Sequence, residues 1–310
     1  MTTLLFIAPA DLGETVLATG ALEFVRTPDV QITIVCGKDA ADLFRATPGV
    51  VDVQIVEAGR FRGLLTLARR FGGTPFDLTL DLTGRRVAFG ARSRKRIVRR
   101  APRELRHVLD EFAALVSAER LAPKIWLDDE ARKTAAVVAP TGEPLLALAP
   151  GAADARKIWP AERFAAAARR IAGGAGPLSG TRVLVLGAAA DGEIAQSIAQ
   201  SLDADGMPAL NLAGRLDLLA TATLLGRTTL CVAVENPLMQ IAAAMGAATL
   251  GLFGPSDERI VGPRGPRTRA LRGRSFEDVM ANSGDHTAMD ALSVDAVEAA
   301  ALDLLRAGGL

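Results

Sequence analysis

Four short segments carry residue types that can hold a charged ligand or move a proton. Asp11 and Glu14 stand three positions apart where an apolar run, LLFIA at 4–8, gives way to a helical stretch. That spacing suits a capping box, with Asp11 as N-cap and Glu14 at N3, and it also leaves a carboxylate at a strand end. The second segment, FDLTLDLTGRR at 76–86, places Asp81 inside an apolar strand and closes it with Thr83, Gly84 and Arg85. An acid is costly in a core, so Asp81 has a weaker structural explanation than Thr83, which reads as part of a Thr-Gly turn. The third, ARKIWPAERF at 155–164, offers Lys157 just before Trp159 and Pro160, and Pro160 opens a helix near N1. The fourth runs Glu235-Asn236-Pro237-Leu238-Met239-Gln240. Asn236 is a good N-cap and Pro237 a good N1 residue, but Pro237 has no N–H for an anion, and Gln240 donates hydrogen bonds without carrying charge.

The elements that must position these residues alternate. In the first half the order is LLFIA, a helix over 14–26, QITIVC at 31–36, a helix over 39–46, VDVQIV at 51–56, a helix over 64–70 and the strand at 76–82. Strands alternating with helices imply a parallel sheet covered on both faces. A helix over 105–119 and a less regular segment with Pro123, Pro140 and Pro144 lead to a linker near 140. The pattern then restarts with LLALAP (145–150), a helix over 161–173, RVLVLG (182–187), a helix over 191–202, PALNL (208–212), a helix over 217–226, TLCVAV (229–234), a helix over 237–245 and ATLGLF (248–253). Two doubly wound α/β domains follow, 1–140 and 141–310, and the final helix over 293–307 has an apolar stripe that fits either one.

Length and composition agree. The chain has 310 residues, enough for two domains, and is 49% hydrophobic and 23% charged, which is globular composition. The opening MTTLLFIAPADLGE has too short an apolar stretch for a secretory leader, and no apolar run is long enough to span a bilayer, so a cytoplasmic location is expected. Two histidines and two scattered cysteines, Cys36 and Cys231, give no zinc spacing. Asp203-Ala204-Asp205 has the letters of a metal-binding Asp-x-Asp but sits before Gly206 in what reads as a turn, so no metal and no other cofactor is expected. The absence of Gly-x-Gly-x-x-Gly and Walker A patterns weakens dehydrogenase and nucleotide-hydrolase readings.

Together the four segments resemble the heptosyltransferase-type glycosyltransferases of family 9, and the likeness runs across both halves. DLGETVLATGAL at 11–22 is similar to the family's Leu-Gly-Asp-x-x-Leu segment, with Glu14 where the family has its catalytic Asp. FDLTLDLTGRR matches the Asp-x-x-Ile-Asp-Leu-Gln-Gly strand, and His107 with Asp110 matches a His-x-x-Asp stretch. APGAADARKIWPAERF matches Pro-Gly…Lys-x-Trp-Pro, and 211–263 matches the donor region, except that Glu235-Asn236-Pro237 and Gln240 replace Asp-Ser-Gly and His. The resemblance implies a GT-B type fold, two Rossmann-like domains facing across a cleft, the first for the acceptor and the second for the donor. It implies an inverting, metal-independent transfer of a sugar, heptose from ADP-heptose, to a lipopolysaccharide-core or related glycan. Glu14 would be the general base and Lys157 would bind the leaving diphosphate. Gly151, Lys157, Glu235, Asn236, Leu238 and Gln240 would contact the donor, and Asp81, Thr83 and Arg85 would face the acceptor.

Ten Lys or Arg against one acid, Glu104, lie between Arg85 and Arg106. This run reads either as a solvated face or loop, or as a contact with an anionic glycolipid at the inner face of the membrane. Nucleic acid is not expected as a partner, because the run has Phe89 alone for stacking. Two rival readings remain at this level: a non-catalytic nucleotide-sugar-binding relative, suggested by the departures at 235–240, and a sugar-nucleotide-modifying enzyme such as an epimerase.

Overall fold

The computed structural model describes residues 2–56, 70–71, 73, 75–85, 87–100, 104–281 and 288–308, and they form two units, Met1–Asp128 and Asp129–Leu310. In the first, strands β1 (Thr2–Ile7), β2 (Val30–Cys36), β3 (Val50–Ile55), β4 (Phe76–Asp81) and β5 (Ser93–Val98) make a parallel sheet in the order β3-β2-β1-β4-β5. Its middle strands are apolar runs buried on both faces, as covered parallel strands must be. Helix α1 (Leu12–Val25) follows β1, and α2 (Val108–Val116) packs on it. The stretch read as a helix over 39–46 is a 3-10 turn, Lys38–Phe44. The helix expected over 64–70 falls, apart from its last residue, outside the described residues.

The basic run contains β5, with Arg94, Lys95 and Arg96 exposed on the edge of the sheet. Cations along an edge strand resist pairing with another chain, and they also hide the strand from a search for apolar alternation. The middle of this run is regular sheet with exposed cations, which agrees with the solvated face expected for it and not with a loop.

The second unit begins with α3 (Asp129–Val138) and continues through β6 (Leu145–Ala149), α4 (Ala161–Ala172), β7 (Arg182–Val185), α5 (Gly192–Asp203), β8 (Ala209–Asn211), α6 (Leu218–Leu225), β9 (Leu230–Val234), α7 (Pro237–Ala244), β10 (Thr249–Phe253), α8 (Glu258–Val261), β11 (Thr268–Arg272), α9 (Phe276–Ala281) and α10 (Val294–Ala307). All strand pairs are parallel, in the order β11-β10-β9-β6-β7-β8. The division falls before α3, not near 140, because α3 packs on α6 and Arg227 bonds the carbonyls of Ala139 and Pro140 at 2.7 and 2.6 Å. The last helix belongs to this unit too, lying on α4, β10 and β11. Its apolar stripe joins the core around Trp159, whose indole N–H donates to the Leu292 carbonyl at 3.0 Å while its ring stands edge-on to Phe164. Asp203 ends α5 and Ala204-Asp205-Gly206 form the turn after it: Asp203 accepts from the Ala209 N–H at 3.1 Å, and Asp205 pairs with Arg169.

Candidate functional site

In each sheet the strand order reverses beside the first strand of the unit, between β1 and β4 and between β6 and β9. Loops leaving the carboxyl ends of such neighbours diverge, which opens a crevice for ligands in open α/β sheets. Lys157 lies after β6 and Glu235 after β9, so the second reversal brings together two segments 78 positions apart (235 − 157). Lys157 Nζ is 2.6 Å from Glu235 Oε2, with both side chains half-buried. Ser256, from the loop after β10, hydrogen-bonds the same carboxylate. Arg272 at the end of β11 fixes that loop in turn, donating to the carbonyls of Ser256 and Gly254 and pairing with Glu258. Four strand ends are thus tied to one ammonium group.

Asn236 joins the same two loops through main chain. Its side-chain oxygen accepts from the Met239 N–H at 3.0 Å, capping α7, while its amide nitrogen donates to the carbonyls of Ala149 and Gly151 at 3.1 and 2.9 Å. Pro237 at N1 has no N–H, so the Leu238 N–H is the first-turn donor that the cap leaves over, at the positive end of the helix. Gly151 is glycine for a steric reason, since a Cβ there would lie 2.0 Å from Cγ of Asp191. That close approach sets the β6 loop against the start of α5. Gln240 is 4% exposed, its amide nitrogen donates to the Val261 carbonyl at 2.7 Å, and its Oε1 has no partner among the described residues.

In the first unit Asp11 caps α1 by accepting from the Glu14 N–H at 2.8 Å. The capping-box spacing is therefore half realised, because the Glu14 carboxylate turns to Arg99, whose Nη1 is 2.7 Å from Glu14 Oε2. Arg99 also holds Glu111 at two points, Nε to Oε1 at 3.0 Å and Nη2 to Oε2 at 2.8 Å. Burial opposes the charge on Arg99, but the bonds to Glu111 and Glu14 outweigh it and the guanidinium titrates above its ordinary value.

The acceptor-side trio lies in one turn after β4, from buried Asp81 through half-buried Thr83 to exposed Arg85. Asp81 is 0% exposed, and its carboxylate accepts from the Thr83 N–H at 3.0 Å, the Thr83 hydroxyl at 2.6 Å and the Ala88 N–H at 2.8 Å. The Thr83 hydroxyl also accepts from the Arg85 N–H at 3.1 Å. A buried acid is stable here because the turn around Gly84, with φ of 69°, directs three donors at it. Asp81 and Thr83 hold a loop, and of the trio only Arg85 is exposed. His107 is likewise structural, capping α2 by accepting from the Leu109 N–H at 3.1 Å.

Sequence reasoning missed Arg99, Glu111, Ser256 and Arg272. Arg99 was one cation among ten, and nothing in its neighbourhood along the chain marks it. Ser256 lies within 211–263, the stretch matched to the donor region, and was the findable member. Beside Arg99, a groove of about 580 Å³ is lined by Arg96, Arg100, Arg106 and Glu111.

Residues 83–283 match the family model for glycosyltransferase family 9 (heptosyltransferase). The chain belongs to that family. Its fold is that of solved family structures: the glycosyl transferase family 9 protein from Veillonella parvula is 20% identical with a TM-score of 0.78, over 98% of this chain and 97% of that one. The E. coli ADP-heptose lipopolysaccharide heptosyltransferase II is 20% identical with a TM-score of 0.76 over the full length of both. E. coli heptosyltransferase WaaC, solved with ADP, is 16% identical with a TM-score of 0.72 over 98% of this chain and 100% of that one. A curated relative, lipooligosaccharide heptosyltransferase 2 of Haemophilus influenzae, is 27% identical over 144 residues, which are 46% of this chain and 40% of the relative. No helix among the described residues of this family 9 chain is long and apolar enough to cross a membrane.

Proposed function

We propose that this chain transfers a sugar, heptose from ADP-heptose, to a lipopolysaccharide-core or related glycan, with inversion and without a metal. The observation that carries the reading is the Lys157–Glu235 pair at the head of the Asn236-capped helix. An ammonium group beside a helix N-terminus suits a diphosphate, and a diphosphate oxygen can replace the Glu235 carboxylate as partner of Lys157. In the reaction the charge that gathers on the leaving diphosphate is met by Lys157 and by the Leu238 N–H. Glu14 removes the proton from the acceptor hydroxyl, and that oxygen attacks the anomeric carbon from the face opposite the diphosphate. Asp81 and Thr83 shape the neighbouring loop, and Arg85 remains the acceptor-side candidate of that trio. The arginine groove, with Phe89 64% and Leu105 63% exposed along the same run, supports contact with an anionic glycolipid at a membrane surface.

A second reading, a nucleotide-sugar-binding relative without turnover, is favoured by the burial of Gln240 and by the N–H missing at Pro237. Both readings require donor binding, so the first test is a thermal-shift panel of ADP-, UDP-, GDP- and CDP-sugars on the wild type and Lys157→Ala. A nucleotide-specific rise that Lys157→Ala loses is expected, and no rise with any of the four would overturn the proposal. Product analysis with donor and acceptor then separates transfer from binding alone, and an altered sugar formed without acceptor would indicate an epimerase.

A further inference from the structure

The Glu14 carboxylate is the longer counterpart of the family's Asp, and the structure shows what its extra methylene reaches. Asp11 caps α1, so Glu14 is not needed to finish the helix, and its carboxylate lies 2.7 Å from Arg99 Nη1. Arg99 is itself firmly placed: its side chain is 15% exposed, it grips Glu111 bidentately, and its guanidinium sits 5.0 Å from the Phe112 ring centroid. One cation thus serves two carboxylates, and the cluster carries a net charge of −1 (+1 − 2).

We propose that Arg99 is the positioning residue for the transfer reaction, orienting the Glu14 carboxylate while Glu111, gripped at two points, holds the guanidinium in place. The proposal rests on Glu14 as general base. A lone arginine beside a base stabilises the carboxylate and weakens it as a proton acceptor. A second carboxylate on the same guanidinium pushes the other way. Removing Arg99 and removing Glu111 must therefore move the pH response of the reaction in opposite directions, which a shared structural role would not do. The other charged groups on α1, at its caps and on the elements packed against it include Glu23 on α1, Asp11 and Arg26 at its caps, Asp110 and the capping His107 of α2, and Lys38, Asp39 and Asp42 of the 3-10 turn. β5, packed on α2, adds Arg94, Lys95 and Arg96. The ion pair found for the Glu14 carboxylate among the described residues is that with Arg99.

The test is kcat and kcat/KM for heptosyl transfer from ADP-heptose to a heptose-deficient lipopolysaccharide core, between pH 5 and 9, for the wild type, Glu14→Gln, Arg99→Gln, Arg99→Lys and Glu111→Gln. Glu14→Gln is expected to lose on the order of a hundredfold in kcat, the lower end of general-base contributions. Arg99→Gln is expected to lower kcat about tenfold and to move the acidic limb of kcat/KM upward by about one pH unit, the smaller end of the effect of a neighbouring opposite charge. Arg99→Lys keeps the limb near its wild-type position, since the cation remains, while kcat stays below wild type because the fork is gone. Glu111→Gln moves the limb downward. Limbs that stay in place, or that move the same way in Arg99→Gln and Glu111→Gln, would overturn the positioning role and leave Glu14 as base intact. Full activity in Glu14→Gln, or no transfer by the wild type, would remove both. If Arg99→Gln does not fold, the Arg99→Lys and Glu111→Gln profiles decide alone.

Discussion

Replacing Asp81 by Asn tests whether this acid serves a substrate or a loop. The carboxylate takes three hydrogen bonds at 2.6–3.0 Å in full burial. An Asn oxygen can keep the two bonds from Thr83, but its NH2 then faces the Ala88 N–H, setting donor against donor. The change removes one hydrogen bond to a charged group and strands a buried N–H, together about 2–4 kcal/mol. That is a large part of the roughly 5–15 kcal/mol that holds a domain folded. The two tryptophans make it measurable, because Trp126 is in the first unit and Trp159 in the second. In a Trp159→Phe background, urea unfolding followed by Trp126 emission reports the first unit, and with m near 2 kcal/mol/M its midpoint should fall by about 1–2 M. Donor-induced thermal shifts should survive, since they report the second unit. An unchanged midpoint with a raised KM for the acceptor would refute the loop-holding role and restore Asp81 to the acceptor site.

Asn236→Ala removes the cap of α7 and the two bonds that tie it to the β6 loop, and should cost the second unit about 2–3 kcal/mol in urea unfolding read through Trp159. Asn236→Asp should recover the cap contribution alone. Burial pushes the thiols of Cys36 and Cys231 up to about 12, so neither should react with a neutral disulfide reagent at pH 8 until the chain is unfolded, when both should. The Arg156 side chain and backbone N–H hold the Asp154 carboxyl at about 2 against an ordinary 3.8. A folded value below the unfolded one means stabilisation that is complete above 3.8 and lost as pH falls toward 2, so Asp154→Asn should flatten that part of the acid-unfolding curve of the second unit.

What could be read without coordinates is what depends on neighbours along the chain. Apolar strands of four to eight residues and the turns between them place most of both sheets, and the caps at Asp11 and Asn236 follow from residue type beside a helical run. The strands that escaped, β5 and β11, are each one of the two outer strands of their sheet, and unlike the outer β3 and β8 they carry Arg94, Lys95, Arg96 and Arg269 at positions that a legible strand gives to Val or Leu. Helix α3 escaped because it has only a narrow buried stripe, Ala131 and Ala135. Lys157 and the start of α7 were legible as a candidate anion site because a lysine and a helix start announce themselves by type.

Partnership was not legible, because it is decided by which strand ends the sheet order brings side by side. Lys157 meets Glu235 and Ser256 only because β6, β9 and β10 are neighbours, and Glu14 meets Arg99 only because β1 and β5 flank β4. The same tertiary placement turned Asp81 inward to its loop and closed Gln240 off from solvent. Residue types and local spacing determined the fold class and which groups were chemically capable; burial and sheet order, which act between residues far apart in the chain, decided which of them are joined.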